Sequence, residues 1–451
     1  MKKYDVIILG SGPAGIITGV TVRKQNPEKS VLMIAKDEKG LVPCGIPYVF
    51  HKLDDVSKNA MGPKPFVAAG GELVVDEAVS VDPDGKSVKL QSGTEYFYDK
   101  LIFATGSTPT VPEFIKGYDL EGVKYIKKDY QYIEALKKET DTIKNIVVVG
   151  GGFIGAEVAE QLQLNGKHKV SLIELEDNCF SKAFSPALAG IATEELRKTG
   201  VNVMTGTKVD EFTARDGRLS TVRLDSGEEI PADIVIAAVG YKPNTEMASA
   251  AGLDLNSIGA IKVDQYGRTS VNDVCAVGDC AGTVGFLTGT EDNIMLASTA
   301  TAEARICGYN LFGIRIKRCF GGTLGVFSTE INGLAMAAAG VNDNTAKMAN
   351  VHYVSAEFSD IDRHPATLSD ASPLSIRLYA STSDGSILGG EVWGGPTSSE
   401  IINIISLAIQ KRATVYDLMF YQLGTHPLLT TAPTKPVLIK AAEGIIAKLQ
   451  K

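Results

Sequence analysis

The sequence predicts an α/β fold, with two Rossmann-like three-layer domains followed by a C-terminal α+β domain. Three observations predict it. The apolar run Val6-Ile7-Ile8-Leu9 leads straight into Gly10-Ser11-Gly12-Pro13-Ala14-Gly15, and Ile146-Val147-Val148-Val149 leads into Gly150-Gly151-Gly152-Phe153-Ile154-Gly155. Each glycine run opens a helical stretch and is followed by a second apolar strand. Each also begins a longer phrase that closes on a glycine, 96 positions on in the first copy (10 to 106) and 90 in the second (150 to 240).

A lone G-x-G-x-x-G is weak evidence, but strand before and helix after is the context the motif requires. Glycines permit the tight turn and close backbone approach, and the helix N-terminus offers N–H groups to a pyrophosphate. Two such cradles imply two dinucleotides in one chain, and so electron transfer between them.

The elements follow in order. The first copy continues with the strand Val31-Leu32-Met33-Ile34, then a meander over 72–98 with turns at Asp84-Gly85 and Ser92-Gly93, and closes on Leu101-Ile102-Phe103-Ala104-Thr105-Gly106. The second continues with Val170-Ser171-Leu172-Ile173-Glu174, turns at Asp216-Gly217 and Ser226-Gly227, and closes on Ile234-Val235-Ile236-Ala237-Ala238-Val239-Gly240. Asp-Gly and Ser-Gly between alternating apolar residues are hairpin signals. Beyond about residue 323 the pattern changes to alternating strands such as Ser375-Ile376-Arg377-Leu378-Tyr379. A helix over 398–411 has Ile401, Ile402, Ile405 and Ile409 on one face, and a helical tail covers 437–449.

At 451 residues, 44% apolar and 22% charged, the chain has the composition of a globular protein of several domains. A net charge of −8 disfavours a nucleic-acid partner and supplies no polybasic membrane anchor. Lys2 and Lys3 before an apolar stretch imitate a signal peptide, but Asp5 interrupts the run and the segment is the first strand of a nucleotide fold. No membrane span is expected. The six cysteines, at 44, 179, 275, 280, 307 and 319, lack metal-site spacing, so a cytoplasmic chain with reduced thiols is expected and no metal.

Cys44 differs from the other five. In Leu41-Val42-Pro43-Cys44-Gly45-Ile46-Pro47-Tyr48 it stands between prolines, where no regular helix forms. A thiolate there, near a cofactor and a helix N-terminus, would be nucleophilic; the alternative is a buried, inert cysteine.

Together these motifs make the chain resemble the FAD-dependent pyridine nucleotide–disulfide oxidoreductases over essentially its whole length. The resemblance rests on the first fingerprint, Ala104-Thr105-Gly106, the second fingerprint and Val274-Cys275-Ala276-Val277-Gly278-Asp279. It implies FAD held by Gly10, Gly12, Pro13, Ala14, Gly15, Ala104, Thr105, Gly106 and Asp279, the last on the ribityl chain. It implies NAD(P)H held by Gly150, Gly152, Phe153, Ile154, Gly155 and Gly240. Phe153 stands where relatives carry an aromatic shield for the flavin. Cys275 and Cys280 are then packing residues. The implied domains are FAD-binding over 1–112 and 243–322, NAD(P)H-binding over 113–242, and dimerisation over 323–451, the last joining a homodimer.

Residue 49, five after Cys44, is Val, so the C-x4-C disulfide of part of the family is absent. The chain resembles instead the single-cysteine branch of coenzyme A disulfide reductases, NAD(P)H sulfur reductases, NADH oxidases and NADH peroxidases. This implies that electrons pass from NAD(P)H, with NADH favoured, through FAD to Cys44, then to a low-molecular-weight disulfide, persulfide or polysulfide of the coenzyme A disulfide kind. The alternatives are reduction of oxygen or peroxide through a Cys44 sulfenic acid, and an electron-transfer flavoprotein in which Cys44 is idle. The first fingerprint region lacks the histidine carried by peroxide-reducing relatives, which points towards thiol exchange.

Arg23 and Lys24 stand where coenzyme A disulfide reductases carry cations for the nucleotide phosphates; equally, they complement a helix C-terminus. His426, in Gly424-Thr425-His426-Pro427, matches the acid–base histidine of lipoamide dehydrogenase and glutathione reductase, with Thr431 where those enzymes have an orienting Glu. His51 is a second candidate. Lys52 and Glu157 match a pair beside the flavin that tunes its potential. Glu174 at the end of its strand favours NADH over NADPH. The equivalent position of the first copy is Ala35, leaving Asp37 or the backbone for the FAD ribose.

Overall fold

The computed structural model describes residues 2–292, 294–318, 321–396 and 398–451, so Cys319 lies outside the described residues. The chain divides into two compact units. One comprises Met1–Pro112, Tyr125–Ile143 and Val239–Thr323; the other comprises Glu113–Lys124, Lys144–Ala238 and Leu324–Lys451.

In the first unit the apolar runs form a seven-stranded sheet. Its parallel part runs Glu72–Val75, Val31–Ala35, Lys2–Leu9, Glu95–Phe103 and Val274–Ala276. The N-terminal half of Glu95–Phe103 pairs antiparallel with Ser87–Leu90, which pairs with Ala78–Asp82. Strand residues alternate between faces. Ile7, Leu9, Leu32, Ile34, Leu101 and Phe103 therefore meet the meander residues Val81, Val88 and Leu90 on one side. Val6, Ile8, Val31, Met33 and Ile102 meet Ala14, Ile16 and Val22 of the helix Pro13–Gln25, and Ala300 and Cys307 of the helix Ala297–Asn310, on the other. Burial on both faces is why these strands read as continuous apolar runs.

The second unit repeats the theme. Asn145–Val149 pairs in parallel with Lys169–Ile173 and Ile234–Ala237, and Lys169–Ile173 with Asn202–Met204. The Asp216-Gly217 turn joins Val209–Arg215 to Arg218–Leu224, both turn residues having positive φ. In the first unit the turn at Asp84-Gly85 is built differently. The Asp82 carboxylate accepts from the N–H groups of Asp84 and Gly85, and Lys86, not Gly85, takes the positive φ.

The C-terminal part is a five-stranded antiparallel sheet, in the order Val326–Ile331, Leu334–Gly340, Ile387–Gly394, Pro373–Ser381 and Tyr353–Ile361. The helices Ile401–Gln410 and Val437–Leu449 follow, the first preceded by a 3-10 turn at Ser398–Glu400. Glu391 in this sheet is fully buried, and accepts from the Ser185 amide at 2.5 Å and the Ser185 hydroxyl at 2.7 Å. Ser185 caps the helix Pro186–Lys198, so the carboxylate meets the positive end of a helix dipole. No helix among the described residues is long and apolar enough to cross a membrane.

Candidate active site

In the first unit the chain turns at Gly10 with φ +113°. A Cβ there would stand 2.2 Å from the Ala104 carbonyl oxygen, and one at Gly15 would stand 2.0 Å from the Gly10 carbonyl oxygen. These two glycines bring the fingerprint, the helix and the Ala104 strand end together. Gly12 is different, because a Cβ there would meet nothing within 4 Å. It is the N-cap of the helix, extended and without a side-chain cap, with Pro13 at the first turn. Open space beside uncapped N–H groups is a receptacle for an anionic group.

Two further loops close on this cradle. The Thr105 hydroxyl donates to the Asn244 carbonyl at 2.7 Å, and Asn244 donates back to Thr105 and Gly106. A Cβ at Gly278 would lie 2.8 Å from the Ala14 methyl. Beside Gly278, Asp279 accepts from the Ser107 hydroxyl at 2.7 Å and from Lys128 at 2.6 Å. Glu303 accepts the Gly278 N–H at 3.3 Å. Sequence reasoning missed Lys128 and Glu303, since neither stands in a motif and each meets its partner only through the fold.

Cys44 sits in a 3-10 turn, Pro43–Gly45, followed by a second at Pro47–Phe50. It is exposed, whereas Cys179, Cys275, Cys280 and Cys307 are buried. Burial pushes the Cys179 thiol up to about 12, and raises Cys280. A hydrogen bond with Cys275, together with burial, raises Cys307. Asn59 holds the turn, its side chain donating to the Val42 carbonyl at 3.0 Å while its carbonyl accepts the Val42 N–H at 3.0 Å. Val49 is fully buried. His51 is exposed, and the Lys52 ammonium stands 6.0 Å from the centroid of the Tyr48 ring.

In the second unit Gly150 has φ +104°, and a Cβ at Gly155 would stand 1.9 Å from the Gly150 carbonyl oxygen. Gly152 again opens on empty space at a helix start, Phe153–Leu164. Glu174 accepts the Gly151 N–H and, at 2.8 Å, the Glu176 N–H. Phe153 stacks on Phe327 with centroids 5.6 Å apart, and meets Phe180 and Phe184 edge-on. One turn on, the buried Glu157 accepts from the Thr329 hydroxyl at 2.7 Å. Burial, with Glu160 close by, pushes its carboxyl up to about 7.

His426 lies in an exposed turn of the same unit. Its Nδ1 accepts the Leu428 N–H at 3.2 Å, and its own N–H donates to the Thr430 hydroxyl at 3.1 Å.

Two family models match this chain: the pyridine nucleotide-disulphide oxidoreductase model over residues 4–304, and the dimerisation domain of the same family over 327–437. The chain belongs to the pyridine nucleotide-disulphide oxidoreductases. A Methanocaldococcus jannaschii protein named NADH oxidase is 29% identical over 427 residues, covering 91% of this chain and 92% of that protein. A CoA-dependent NAD(P)H sulfur oxidoreductase of Pyrococcus furiosus is 32% identical over 352 residues, covering 77% of this chain and 78% of that one. Among solved structures, a NAD-dependent persulfide reductase from A. fulgidus matches with a TM-score of 0.89 at 28% identity, over 99% of this chain and 83% of that chain.

FAD and NAD(P)H are the cofactors of this oxidoreductase family, and the residues present fit both. Gly12 and Gly152 are open at the helix starts, leaving room for a pyrophosphate, while Gly10, Gly15 and Gly155 are packed against backbone. Gly240 falls in the first unit, where its carbonyl accepts the Thr110 N–H at 2.9 Å. Asp37 is exposed, its carboxyl pushed up by partial burial and by Asp129. Arg23 donates to the backbone carbonyls of Ala69 and Lys29, tying down the end of its helix, and Lys24 is exposed. Lys52 and Glu157 belong to different units, as do Cys44 and His426.

Proposed function

We propose that this oxidoreductase uses NADH to reduce a low-molecular-weight disulfide, persulfide or polysulfide, of the coenzyme A disulfide kind, through Cys44. The observation that carries this reading is Cys44 itself: the exposed thiol among the described cysteines, on a proline-fixed turn, with buried Val49 where an intramolecular partner would be needed. On this reading residues 1–112 and 243–322 bind FAD, 113–242 bind the nicotinamide nucleotide, and 323–451 join two copies.

When bound, FAD supplies the two-electron link between nicotinamide and sulfur. The residues of the chain do the rest. Gly12 and Gly152 give the pyrophosphates access to helix N-termini. Asp279, oriented by Ser107 and Lys128, accepts from the ribityl hydroxyls. Glu174, with Glu176 and Asp177 beside it, accepts a ribose hydroxyl and repels a 2′-phosphate. The Cys44 thiolate attacks one sulfur of the substrate, forming a mixed disulfide and expelling a thiolate, which accepts a hydrogen bond from His426 of the opposite subunit and takes its proton from water. Two electrons and a proton, the equivalents of the NADH hydride, then reduce the mixed disulfide, returning the Cys44 thiolate and a second thiol. Lys52 and Glu157 are assigned to tuning the flavin, and Lys24 is the cation open to a substrate phosphate.

A second reading has its own support, since relatives are named NADH oxidase. The absence of histidine from Gly10–Gly15 speaks against it. Anaerobic NADH turnover with coenzyme A disulfide, set against turnover in air, separates the two. Cys44→Ser is expected to lower disulfide reduction at least a hundred-fold while leaving flavin content unchanged. Full retention of disulfide reduction in that variant would overturn the proposal. Intact mass of the isolated protein adds a direct check, with a coenzyme A adduct on Cys44 expected rather than added oxygen.

A further inference from the structure

The His426 turn is held from outside by a second histidine. The backbone N–H of His364 donates to the Pro427 carbonyl at 3.1 Å, and its Nδ1 meets the Thr430 carbonyl at 2.9 Å. A carbonyl only accepts, so Nδ1 of His364 carries a proton. Inside the turn, the N–H groups of Leu429 and Thr430 both donate to the His426 carbonyl at 3.0 Å, and the Thr430 hydroxyl accepts from the His426 N–H. Pro427 has no N–H, so Leu428 supplies the first amide after His426, and it donates to the His426 ring.

That last bond fixes the chemistry of the ring. An N–H donor at Nδ1 requires a lone pair there, so the proton of the neutral ring stands on Nε2. Relatives that orient their histidine with a carboxylate use an acceptor at the equivalent point; this chain has Thr431 there and uses a backbone donor instead.

We propose that His364 is a positioning residue for His426. By gripping the carbonyls of Pro427 and Thr430 it holds the turn in which the Leu428 amide locks His426 with its Nε2–H outward, as a hydrogen-bond donor to the leaving sulfur. This rests on the role given to His426 above, and the test keeps the two apart.

The chain has only five histidines, so their ring-nitrogen resonances can be resolved in the flavin-loaded protein grown with 15N-histidine. His426 is identified by the signal missing from His426→Gln. The wild type and His364→Asn, which keeps a donor at the Nδ1 position, are expected to show a single Nε2–H tautomer for His426. His364→Ala is expected to show an exchanging mixture, and to turn over coenzyme A disulfide about ten-fold more slowly at unchanged KM. His364→Phe, which fills the space of the ring but offers no donor, serves if His364→Ala does not load flavin, and should shift the tautomer likewise. An unchanged tautomer in a folded His364→Ala or His364→Phe protein overturns the positioning. A changed tautomer with undiminished turnover in the His364 variant, and undiminished turnover in His426→Gln, overturns instead the role of His426 and the purpose given to His364.

Discussion

At the residue scale, the fingerprint glycines divide by what a methyl group would meet. Gly10 and Gly15 are packed against carbonyl oxygens closer than any Cβ tolerates, and Gly10 also has a left-handed φ. Gly12 faces open space. Gly15→Ala is therefore expected to destabilise the polypeptide itself by about 1–3 kcal/mol, through forced backbone shifts. Gly12→Ala should leave the melting temperature of the flavin-free protein within about 2 °C of wild type, yet reduce flavin retained per chain at least several-fold. Thermal melts and flavin absorbance per polypeptide read both. The sequence identifies all three glycines alike as motif members. Only the packing separates a glycine that serves the fold from one that serves the ligand.

At the element scale, the helix Phe153–Leu164 carries Glu157 and Glu160, and both are buried, which the local polar pattern of the helix does not indicate. Glu157 finds Thr329, 172 positions away. Burial pushes its carboxyl in the folded state up to about 7, from an ordinary value of about 4.5. Folding therefore favours its protonated form: this contribution is fully present below about pH 4.5 and is lost as pH rises towards 7. Relative to Glu157→Gln, the wild type should lose on the order of 3 kcal/mol of stability across that window, measured by denaturant unfolding at several pH values. A Lys52 ammonium beside the carboxylate would act the other way and hold it ionised, so a flat difference across the window would favour the ion pair. The helices themselves were legible from sequence, 437–449 to the residue. The Asp84-Gly85 turn was legible as a turn but not in its build, because the Asp82 side chain competes for the amides that a Gly-centred turn would use.

At the scale of the whole molecule, the dimerisation domain leaves a run of large apolar side chains exposed in the single chain. Phe420 is 83% exposed, Leu429 68% and Leu428 52%, in the segment that also carries His426. Apolar side chains this exposed and this close in sequence mark an association surface. Phe420→Asp is expected to shift the protein from dimer to monomer in light scattering, and to cut disulfide turnover at least ten-fold if His426 serves the opposite subunit. A monomer with full turnover would show that each chain completes its own site.

The sequence by itself determined the two nucleotide cradles, their order, the family and the proline-flanked Cys44, because each is written in contiguous residues: strand, glycines and helix, or proline–cysteine–glycine; that Cys44 is exposed was decided by the fold. The tertiary structure alone decided the partners of those motifs. Lys128 and Ser107 at Asp279, Asn59 under the Cys44 turn, Thr329 at Glu157 and His364 behind His426 all come from distant segments. Contacts of that kind depend on how strands and loops are brought side by side, and local propensity and periodicity carry no record of which distant side chain will fill a given hydrogen bond.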